Sequence, residues 1–304
     1  MKNKNVLVIG GAGFIGSHLC EELVKNNTVT SLDNYLTGSI SNHINGIDYY
    51  KGNSSDIDEK CGDLKPDLIF HLGEYSRVET SFDDYNMVID NNLCQFSKVL
   101  EYAKKNNSKL LYSGSSTKFG DSLGGAEASP YAWTKSTNTK HLVNYANWFG
   151  LKYAIVYFYN AYGGNELFSG KYATLIGKYL NLFKENCSKL PVVKPGTQKR
   201  NFTHFSDIVS ALIVVGEKGD GDGYGIGSDE SHSVLDVVKY FGLEVEWLEE
   251  RRGNRLEADL ITTKTKELGW KPKVSLEKYV KNKIENEKRK LSLIHISEPT
   301  RPSQ

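Results

Sequence analysis

Residues 5–16 read NVLVIGGAGFIG, a short apolar run that leads directly into a glycine-rich turn. The run Asn5–Ile9 has the length and the β-branched content of a strand. After the turn, Ile15, Leu19 and Leu23 recur at the spacing of one helix face. The stretch therefore predicts a strand, a tight turn and a helix, which is the context in which a glycine motif indicates phosphate binding.

Three glycines, Gly10, Gly13 and Gly16, give this turn the pattern G-x-x-G-x-x-G. Residues without a Cβ permit a tight turn, let backbone N–H groups approach a pyrophosphate, and let the helix pack closely on the strand. The positive end of the helix dipole then faces the phosphates. A lone glycine motif would leave open a turn that binds no ligand.

A second predicted strand ends in a carboxylate. Thr28–Leu32 forms this strand, and Asp33 follows it, seventeen residues after Gly16. A carboxylate at this point can accept hydrogen bonds from both hydroxyls of an adenosine ribose, and it would repel a 2′-phosphate. Together with the glycine turn, it predicts a dinucleotide site that takes NAD in preference to NADP.

Composition narrows the class of protein. The 304 residues include 38 Lys and Arg against 37 Asp and Glu, so no overall charge favours nucleic acid or a membrane surface. No apolar run reaches the ~18 residues of a membrane span, and the N-terminus enters the first strand without a signal peptide. Four dispersed cysteines predict reduced thiols, with neither a disulfide framework nor a metal site. We therefore predict a cytoplasmic protein.

Strands and helices alternate through the first half of the chain. Further strands are predicted at Asp48–Lys51, Asp67–Leu72, Lys109–Tyr112 and Tyr153–Phe158, and helices at Asp84–Lys105 and Tyr131–Phe149. This alternation predicts an α/β fold with a doubly wound parallel Rossmann sheet, in which ligands bind at the carboxyl ends of the strands.

The second half is less regular. Helices are predicted at 172–184, 205–215, 234–241 and 276–290, and a turn at 220–223. We predict an NAD-binding domain over residues 1–160, to which segments near 203–227 return, and a smaller substrate domain over 161–290. Residues 291–304 (LSLIHISEPTRPSQ) differ in character from the Lys-rich helix before them, and we predict that they are a non-native tail.

A Tyr-x-x-x-Lys pair, Tyr131 and Lys135, stands at the start of a predicted helix, one turn apart. A phenol has a pKa of about 10 in water and is a poor base near neutral pH. A neighbouring ammonium and a cationic nicotinamide both favour the phenolate, so the pair predicts a general base for an alcohol that loses hydride. Ser115, at the end of the fifth strand, can hold the reacting hydroxyl. An incidental helix pair is the alternative, but the dinucleotide context favours catalysis.

These motifs resemble the extended short-chain dehydrogenase/reductases, specifically NAD-dependent nucleotide-sugar epimerases of the UDP-glucose 4-epimerase type. The resemblance covers nearly all of residues 4–290. It also rests on His71-Leu72, Tyr159–Gly163, Arg200–Phe202 and Leu268–Pro272. It implies a homodimer formed through the helices at about 84–105 and 131–149.

The resemblance also implies the site residues. Cofactor contacts are expected from Gly10, Gly13, Phe14, Ile15, Gly16, Asp33, Asn34, Asn53, Ser54, Leu72, Gly73, Tyr131 and Lys135. Substrate contacts are expected from Ser115, Thr117, Asn160, Arg200 and Arg251. The two arginines would grip the diphosphate, since guanidinium forks suit phosphates, although ordinary surface charge is the alternative for both. Glu74 and Arg77 depart from the family pattern and can reshape the sugar pocket.

The residues after Ser115 bear on the reaction. Dehydratases and decarboxylases of this family usually carry an acidic residue there, whereas this chain has Ser116, Thr117 and Lys118. The resemblance therefore implies 4-epimerisation of a UDP-hexose or UDP-N-acetylhexosamine through a 4-keto sugar, with Tyr131 as base and bound NAD as hydride shuttle. The alternatives are a 4,6-dehydratase, a decarboxylase or a reductase on the same scaffold, or a non-catalytic NAD(H)-binding subunit.

Overall fold

The computed structural model describes residues 1–116, 125–249 and 259–297. The strands, in chain order, are β1 (Asn5–Ile9), β2 (Thr28–Asp33), β3 (Asp48–Lys51), β4 (Leu68–His71), β5 (Lys109–Ser115), β6 (Tyr153–Phe158), β7 (Ala161–Tyr162), β8 (Lys189–Val193), β9 (Lys199–Arg200), β10 (Thr203–His204), β11 (Gly221–Ile226), β12 (His232–Ser233) and β13 (Glu244–Leu248). The helices are α1 (Phe14–Leu23), α2 (Ile57–Cys61), α3 (Tyr85–Val88), α4 (Phe96–Lys105), α5 (Pro130–Phe149), α6 (Leu175–Lys184), α7 (Phe205–Lys218), α8 (Val234–Phe241), α9 (Thr263–Glu267) and α10 (Leu276–Ser297). Short 3-10 turns cover Ile40–Asn42, Ser54–Asp56, Glu79–Ser81 and Gly125–Glu127, and a π-helical turn covers Ile89–Cys94.

A parallel sheet of seven strands forms the centre of the described structure, in the order β11-β6-β5-β4-β1-β2-β3. Every neighbouring pair in this sheet is parallel. The predicted α/β fold with a parallel Rossmann sheet is therefore confirmed. The order reverses at β1, because β2 and β3 lie on one side of it and β4 on the other. Such a reversal opens a crevice at the carboxyl edge of a sheet.

Alternating side chains of β1 contribute to two apolar layers, as expected of a strand buried on both faces. Val6 and Val8 pack in the layer that includes α1 and α7, whereas Leu7 and Ile9 pack in the layer that includes α4 and α5. A third cluster joins β8, α6, α8 and α10 in the second half of the chain. The first two layers pack on the two faces of the seven-stranded sheet, and the third cluster contains no residue of this sheet.

The predicted helix over 84–105 is wrong in its continuity. The structure has α3, then the π-helical turn Ile89–Cys94, then α4. The wider turn contains Asn92, which is completely buried. Its amide group accepts a hydrogen bond from the backbone N–H of Tyr75 at 2.8 Å and donates to the Tyr75 carbonyl at 3.3 Å. A buried asparagine that satisfies another backbone segment explains the local departure from α-helical geometry.

Three further boundaries differ from the prediction. α6 begins at Leu175 instead of residue 172, because the Thr174 side chain caps it by accepting from the Gly177 N–H at 3.0 Å. Residues 221–223 belong to β11, which pairs with β6 at the edge of the main sheet, and are not the predicted turn. α10 continues to Ser297, into the predicted tail.

The domain division and the non-native origin of the tail stay predictions.

Among the described helices, none combines the length and the apolar content that crossing a membrane requires.

Candidate active site

A cavity of ≈ 1070 Å³ opens along the carboxyl edge of the sheet. Its walls come from the turn after β1, the ends of β2, β4, β5 and β6, and the start of α5. Parts of the second half, including Arg200 on β9, close it on the other side. The cavity brings together these predicted site residues: Gly10, Gly13, Phe14, Ile15, Gly16, Asp33, Asn34, Ser54, Leu72, Gly73, Ser115, Tyr131, Lys135, Asn160 and Arg200.

The glycine turn is packed so tightly that side chains would not fit. Gly10 has a φ of +87°, and a Cβ there would lie 2.7 Å from the backbone of Gly73. A Cβ on Gly16 would lie 2.0 Å from the Gly10 carbonyl oxygen. α1 starts directly after Gly13, which has no side chain to cap the first N–H groups of the helix. These N–H groups therefore suit a phosphate.

Asp33 is held beside this turn. Its carboxylate is buried and accepts hydrogen bonds from the backbone N–H groups of Ala12 at 2.9 Å and Tyr35 at 2.8 Å. The neighbouring Asn34 donates to the side chain of Asn53 at 3.0 Å. Asn53 is exposed and is not among the residues that line the cavity. Its cofactor contact stays a prediction, while the turn and Asp33 together fit a dinucleotide.

The start of α5 positions the Tyr-x-x-x-Lys pair. Ser129 is the N-cap and accepts from the Ala132 N–H at 3.1 Å, and Pro130 occupies the first helical position. Tyr131 is half-buried, Lys135 is buried one turn later, and both line the cavity. Ser115 ends β5 at the same edge and is 8% exposed. The structure thus brings together the three residues predicted to be catalytic.

Lys135 has a partner that the sequence did not reveal. Its Nζ donates to the Ser113 carbonyl at 2.7 Å and forms an ion pair with Glu74 Oε2 at 2.6 Å. The side chain of Lys135 is 5% exposed and that of Glu74 is 0% exposed. Glu74 follows β4, and Lys135 contacts the Ser113 carbonyl on the neighbouring strand β5, so both residues reach the same edge of the sheet.

Glu74 is surrounded by donors. Tyr112 Oη donates to Oε2 and Asn138 Nδ2 to Oε1, each at 2.9 Å, and His71 Nε2 lies 3.5 Å from Oε1. Burial alone would raise the pKa of Glu74, but the charge of Lys135, together with the nearby His71 ring, outweighs it and lowers the pKa to about 2. Glu74 is therefore an ionised carboxylate at the base of the cavity.

A second contact that the sequence did not predict joins two segments that line the cavity. The Arg77 guanidinium donates through Nε to the Tyr172 carbonyl at 3.1 Å, and through Nη2 to the same oxygen. It thereby links the loop after β4 to the segment before α6. Burial lowers the pKa of Arg77. Among the described residues, no carboxylate forms an ion pair with it.

The predicted substrate contacts are only partly within the described structure. Asn160 follows β6, and Arg200 lies on β9, which pairs with β12. Both line the cavity. Thr117 and Arg251 lie outside the described residues.

The glycine turn, the buried Asp33 carboxylate and the Tyr131–Lys135 pair lie at one edge of the sheet, an arrangement typical of dinucleotide-dependent enzymes of the short-chain dehydrogenase/reductase class. The sequence profile of the NAD dependent epimerase/dehydratase family matches residues 6–227. The chain belongs to this family, and the predictions of the family and of NAD as cofactor are confirmed.

Proteins similar to this chain are named for several different reactions. The UDP-N-acetyl-alpha-D-glucosaminuronate decarboxylase of Bacillus cytotoxicus is 31% identical over 259 residues, which cover 78% of each chain. The UDP-glucose 4-epimerase of Thermotoga maritima, solved with UDP-glucose, is 26% identical with a TM-score of 0.88, covering 94% of this chain and 99% of that one. The UDP-N-acetylglucosamine 4-epimerase of Methanobrevibacter ruminantium M1 is 25% identical with a TM-score of 0.86, covering 94% and 98%. The chain is thus similar both to epimerases and to a decarboxylase.

Proposed function

We propose that the protein catalyses NAD-dependent 4-epimerisation of a UDP-hexose or a UDP-N-acetylhexosamine through a 4-keto sugar. The convergence of Tyr131, Lys135 and Ser115 on the edge that carries the glycine turn and Asp33 supports this proposal. The likeness to two solved 4-epimerases agrees with it.

The residues divide the work as follows. Tyr131 takes the proton of the C4 hydroxyl and later returns it, Ser115 holds the reacting oxygen, and Lys135 lies one helical turn from the base. NAD, when bound, supplies a reversible acceptor for the hydride of C4. Gly10, Gly13, Phe14, Ile15, Gly16, Asp33, Asn34, Asn53, Ser54, Leu72 and Gly73 bind the cofactor. Asn160, Arg200, Thr117 and Arg251 bind the nucleotide sugar while its ring turns over.

The state of Glu74 favours epimerisation over elimination. A dehydratase needs a carboxyl group that can deliver a proton to the leaving oxygen. Ser115 is followed by the buried Ser116 and not by a carboxylate. Glu74 contacts Lys135, but its pKa of about 2 leaves it ionised. Its two oxygens also accept contacts from Lys135, Tyr112 and Asn138. It is therefore a poor proton donor near neutral pH.

A second candidate is decarboxylation of a UDP-uronate. The decarboxylase of Bacillus cytotoxicus is a relative at 31% identity. Arg77 lines the cavity without an ion-pair partner among the described residues, and its guanidinium would suit the carboxylate of an acidic sugar.

Product analysis separates the candidates. The protein is incubated with UDP-glucose, UDP-N-acetylglucosamine and UDP-glucuronate, and the products are identified by NMR. We expect the C4 epimer of at least one substrate. A 4-keto-6-deoxy product, or loss of CO₂, would rule out epimerisation in favour of the corresponding alternative.

A tyrosine substitution tests whether the site is catalytic. We expect Tyr131→Phe to lose about 10²- to 10⁴-fold in turnover, because it removes the general base, while NAD remains bound. Tyr145→Phe, on the same helix but away from the cavity lining, is the control and keeps full activity. Equal behaviour of wild type and Tyr131→Phe towards every sugar nucleotide would favour a non-catalytic NAD(H)-binding subunit.

We further propose a cytoplasmic homodimer formed through α5 and the α3–α4 region. Trp133 and Trp148 on α5 are 43% and 68% exposed, and Phe82 and Tyr85 near the start of α3 are also exposed. An apolar surface on two neighbouring elements supports a protein interface.

A further inference from the structure

The cavity contains a guanidinium group whose contacts are all uncharged in the part of the chain that the structure describes. Arg77 is half-buried in the loop after β4 and lines the cavity. Its Nε and Nη2 donate to the Tyr172 carbonyl, and its Nη1 donates to the Ser76 carbonyl at 3.3 Å. These contacts use three of the five N–H groups of the guanidinium, so two are left for a ligand.

The other cations of this part of the cavity have counter-ions in the protein. Lys135 pairs with Glu74 at 2.6 Å, and Lys171 pairs with Asp84 at 2.7 Å. Arg77 therefore differs from both lysines in keeping its charge without a carboxylate partner among the described residues. A charge removed from water without a counter-ion is unfavourable, so the site suits a ligand that brings a negative charge.

Two carboxylates lie in the surroundings of Arg77, but within the described ranges neither forms an ion pair with it. Glu166 interacts with the Arg77 charge, yet its oxygens accept from the Gly163 N–H at 2.8 Å and from the Thr174 hydroxyl. Burial also raises the pKa of Glu166, which weakens its negative charge. Glu79 lines the cavity and is exposed. Neither of them neutralises Arg77 by direct contact.

The location of Arg77 relates its charge to one end of the sugar. Arg77 and Tyr131 both line the cavity, and of the ionisable groups around Arg77, Tyr131 interacts with its charge most strongly. The proposed reaction places the C4 hydroxyl at Tyr131. C6 is attached to C5, the ring carbon next to C4, and therefore lies closer to C4 than to the diphosphate on C1. Because the proposed diphosphate contact is Arg200, Arg77 is left to recognise the sugar.

We propose that the sugar is a hexuronate, and that Arg77 is the specificity-determining residue that binds its C6 carboxylate. This inference rests on the proposed 4-epimerisation, which places C4 at Tyr131. A guanidinium offers paired N–H donors that suit the two oxygens of a carboxylate. The hydroxymethyl group of a neutral hexose would occupy the same position but would leave the charge of Arg77 without a counter-ion.

The test compares UDP-glucuronate with UDP-glucose, which differ only at C6. The protein is loaded with NADH, which cannot accept a hydride, so neither sugar reacts while the two dissociation constants are measured by calorimetric titration. In the wild type we expect UDP-glucuronate to bind at least about tenfold more tightly, as for a hydrogen bond between charged groups. Equal affinities, or a preference for UDP-glucose, would overturn the proposal.

Arg77→Gln separates recognition of the carboxylate from a structural role. Arg77 also links the loop after β4 to the segment before α6 through the Tyr172 carbonyl, and loss of this link alone would weaken both ligands alike. We expect UDP-glucuronate to be weakened at least about tenfold more than UDP-glucose. An unchanged preference would show that Arg77 is only a structural link and would overturn the proposal. If Arg77→Gln does not fold, Arg77→Met keeps the length of the side chain and replaces it, with the same expectation.

Lys171→Gln is the matched control. Lys171 also lines the cavity and precedes Tyr172, but it is paired with Asp84. The variant removes a positive charge and a contact of the same segment, and we expect the preference for UDP-glucuronate to persist. Loss of the preference in Lys171→Gln but not in Arg77→Gln would assign the carboxylate to Lys171 and overturn the proposal.

Failure of the reaction and failure of this inference give different results, because binding to the NADH-loaded protein needs no turnover. A preference for UDP-glucuronate, with no C4 epimer of it in the product assays, would reject the proposed reaction and support the acidic substrate. Equal binding of the two ligands, together with epimerisation of UDP-glucose, would support the reaction and reject the hexuronate.

Discussion

At the residue scale, Gly10 meets two constraints at once. Its φ of +87° is strained for other residues, and a Cβ would lie 2.7 Å from the backbone of Gly73. We expect Gly10→Ala to lower the free energy of unfolding by more than the ~1–2 kcal/mol that left-handed backbone alone costs, and to weaken NAD binding. Thermal unfolding and calorimetric titration with NAD would measure the two effects.

Gly150→Ala provides the matched control for Gly10. Gly150 has a φ of +72° at the end of α5, and no heavy atom outside its chain neighbours lies within 4 Å of the Cβ position. This variant should show the backbone strain without the steric clash, and NAD affinity should not change. Equal losses of stability in the two variants would contradict the importance of the contact between Gly10 and Gly73.

Glu74 also gives the folded protein a specific dependence on pH. Its pKa is lowered from 4.5 to about 2 in the folded state. A lowered carboxyl pKa contributes stability that is fully present above the unfolded value and is lost as the pH falls through the folded value. We expect the difference in unfolding free energy between wild type and Glu74→Gln to be constant above pH 4.5 and to shrink towards pH 2. Urea unfolding at several pH values would test this, and a difference that does not vary with pH would contradict it.

The sequence could predict Tyr131, Lys135 and Asp33 because each stands at a fixed distance from a recognisable motif. It could identify Glu74 only as a departure from the family pattern. Its contact with Lys135 depends on the end of β4 and the start of α5 meeting at one edge of the sheet, and on the directions of the two side chains there. Neither quantity is encoded in local spacing.

At the scale of elements, the π-helical turn Ile89–Cys94 joins the loop after β4 to α5. Asn92 binds both backbone groups of Tyr75, and its Nδ2 also donates to Thr134 Oγ1 at 2.9 Å. We expect Asn92→Ala to lower the free energy of unfolding by about 2–4 kcal/mol, because it leaves buried polar groups unpaired. Urea unfolding would measure the loss.

The same variant should also raise KM, since Tyr75, whose backbone Asn92 holds, lines the cavity. Asn181→Ala, which removes a single surface contact with Glu185 on α6, is the control and should change stability by less than about 0.5 kcal/mol. If Asn92→Ala loses no more unfolding free energy than this control, the contacts of Asn92 do not stabilise the fold.

Regular elements were predictable where periodicity was strong, and their ends were not. The first three residues of β11 lie in the turn that the sequence predicts at 220–223, because glycine and aspartate dominate Gly221–Gly223. In the structure, glycine in this strand permits close packing of another backbone segment. A Cβ on Gly225 would lie 1.7 Å from the Ile261 carbonyl oxygen, so a later segment of the chain packs directly on the strand. Such a close approach is a long-range property that glycine alone does not distinguish from a turn.

At the scale of the whole molecule, the exposed face of α5 leads to a prediction about assembly. If α5 forms the dimer interface, Trp133→Glu places a charge in an apolar contact and should yield a monomer in solution. Light scattering coupled to size exclusion would measure the mass. Trp247→Glu, on β13 and 50% exposed, is the control and should leave the dimer intact. A wild type that is already monomeric, or a dimer that persists in Trp133→Glu, would remove α5 from the interface.

The pairing of β11 with β6 has a consequence for synthesis on the ribosome. β6 ends at Phe158, but its outer neighbour is Gly221–Ile226, which emerges only after α6, β8 and α7. Until then, β6 is an open sheet edge whose backbone groups can pair with another nascent chain. Slow translation or truncation between residues 158 and 221 should therefore promote aggregation. The strand that completes the cofactor-binding sheet is thus also the one that protects the growing chain.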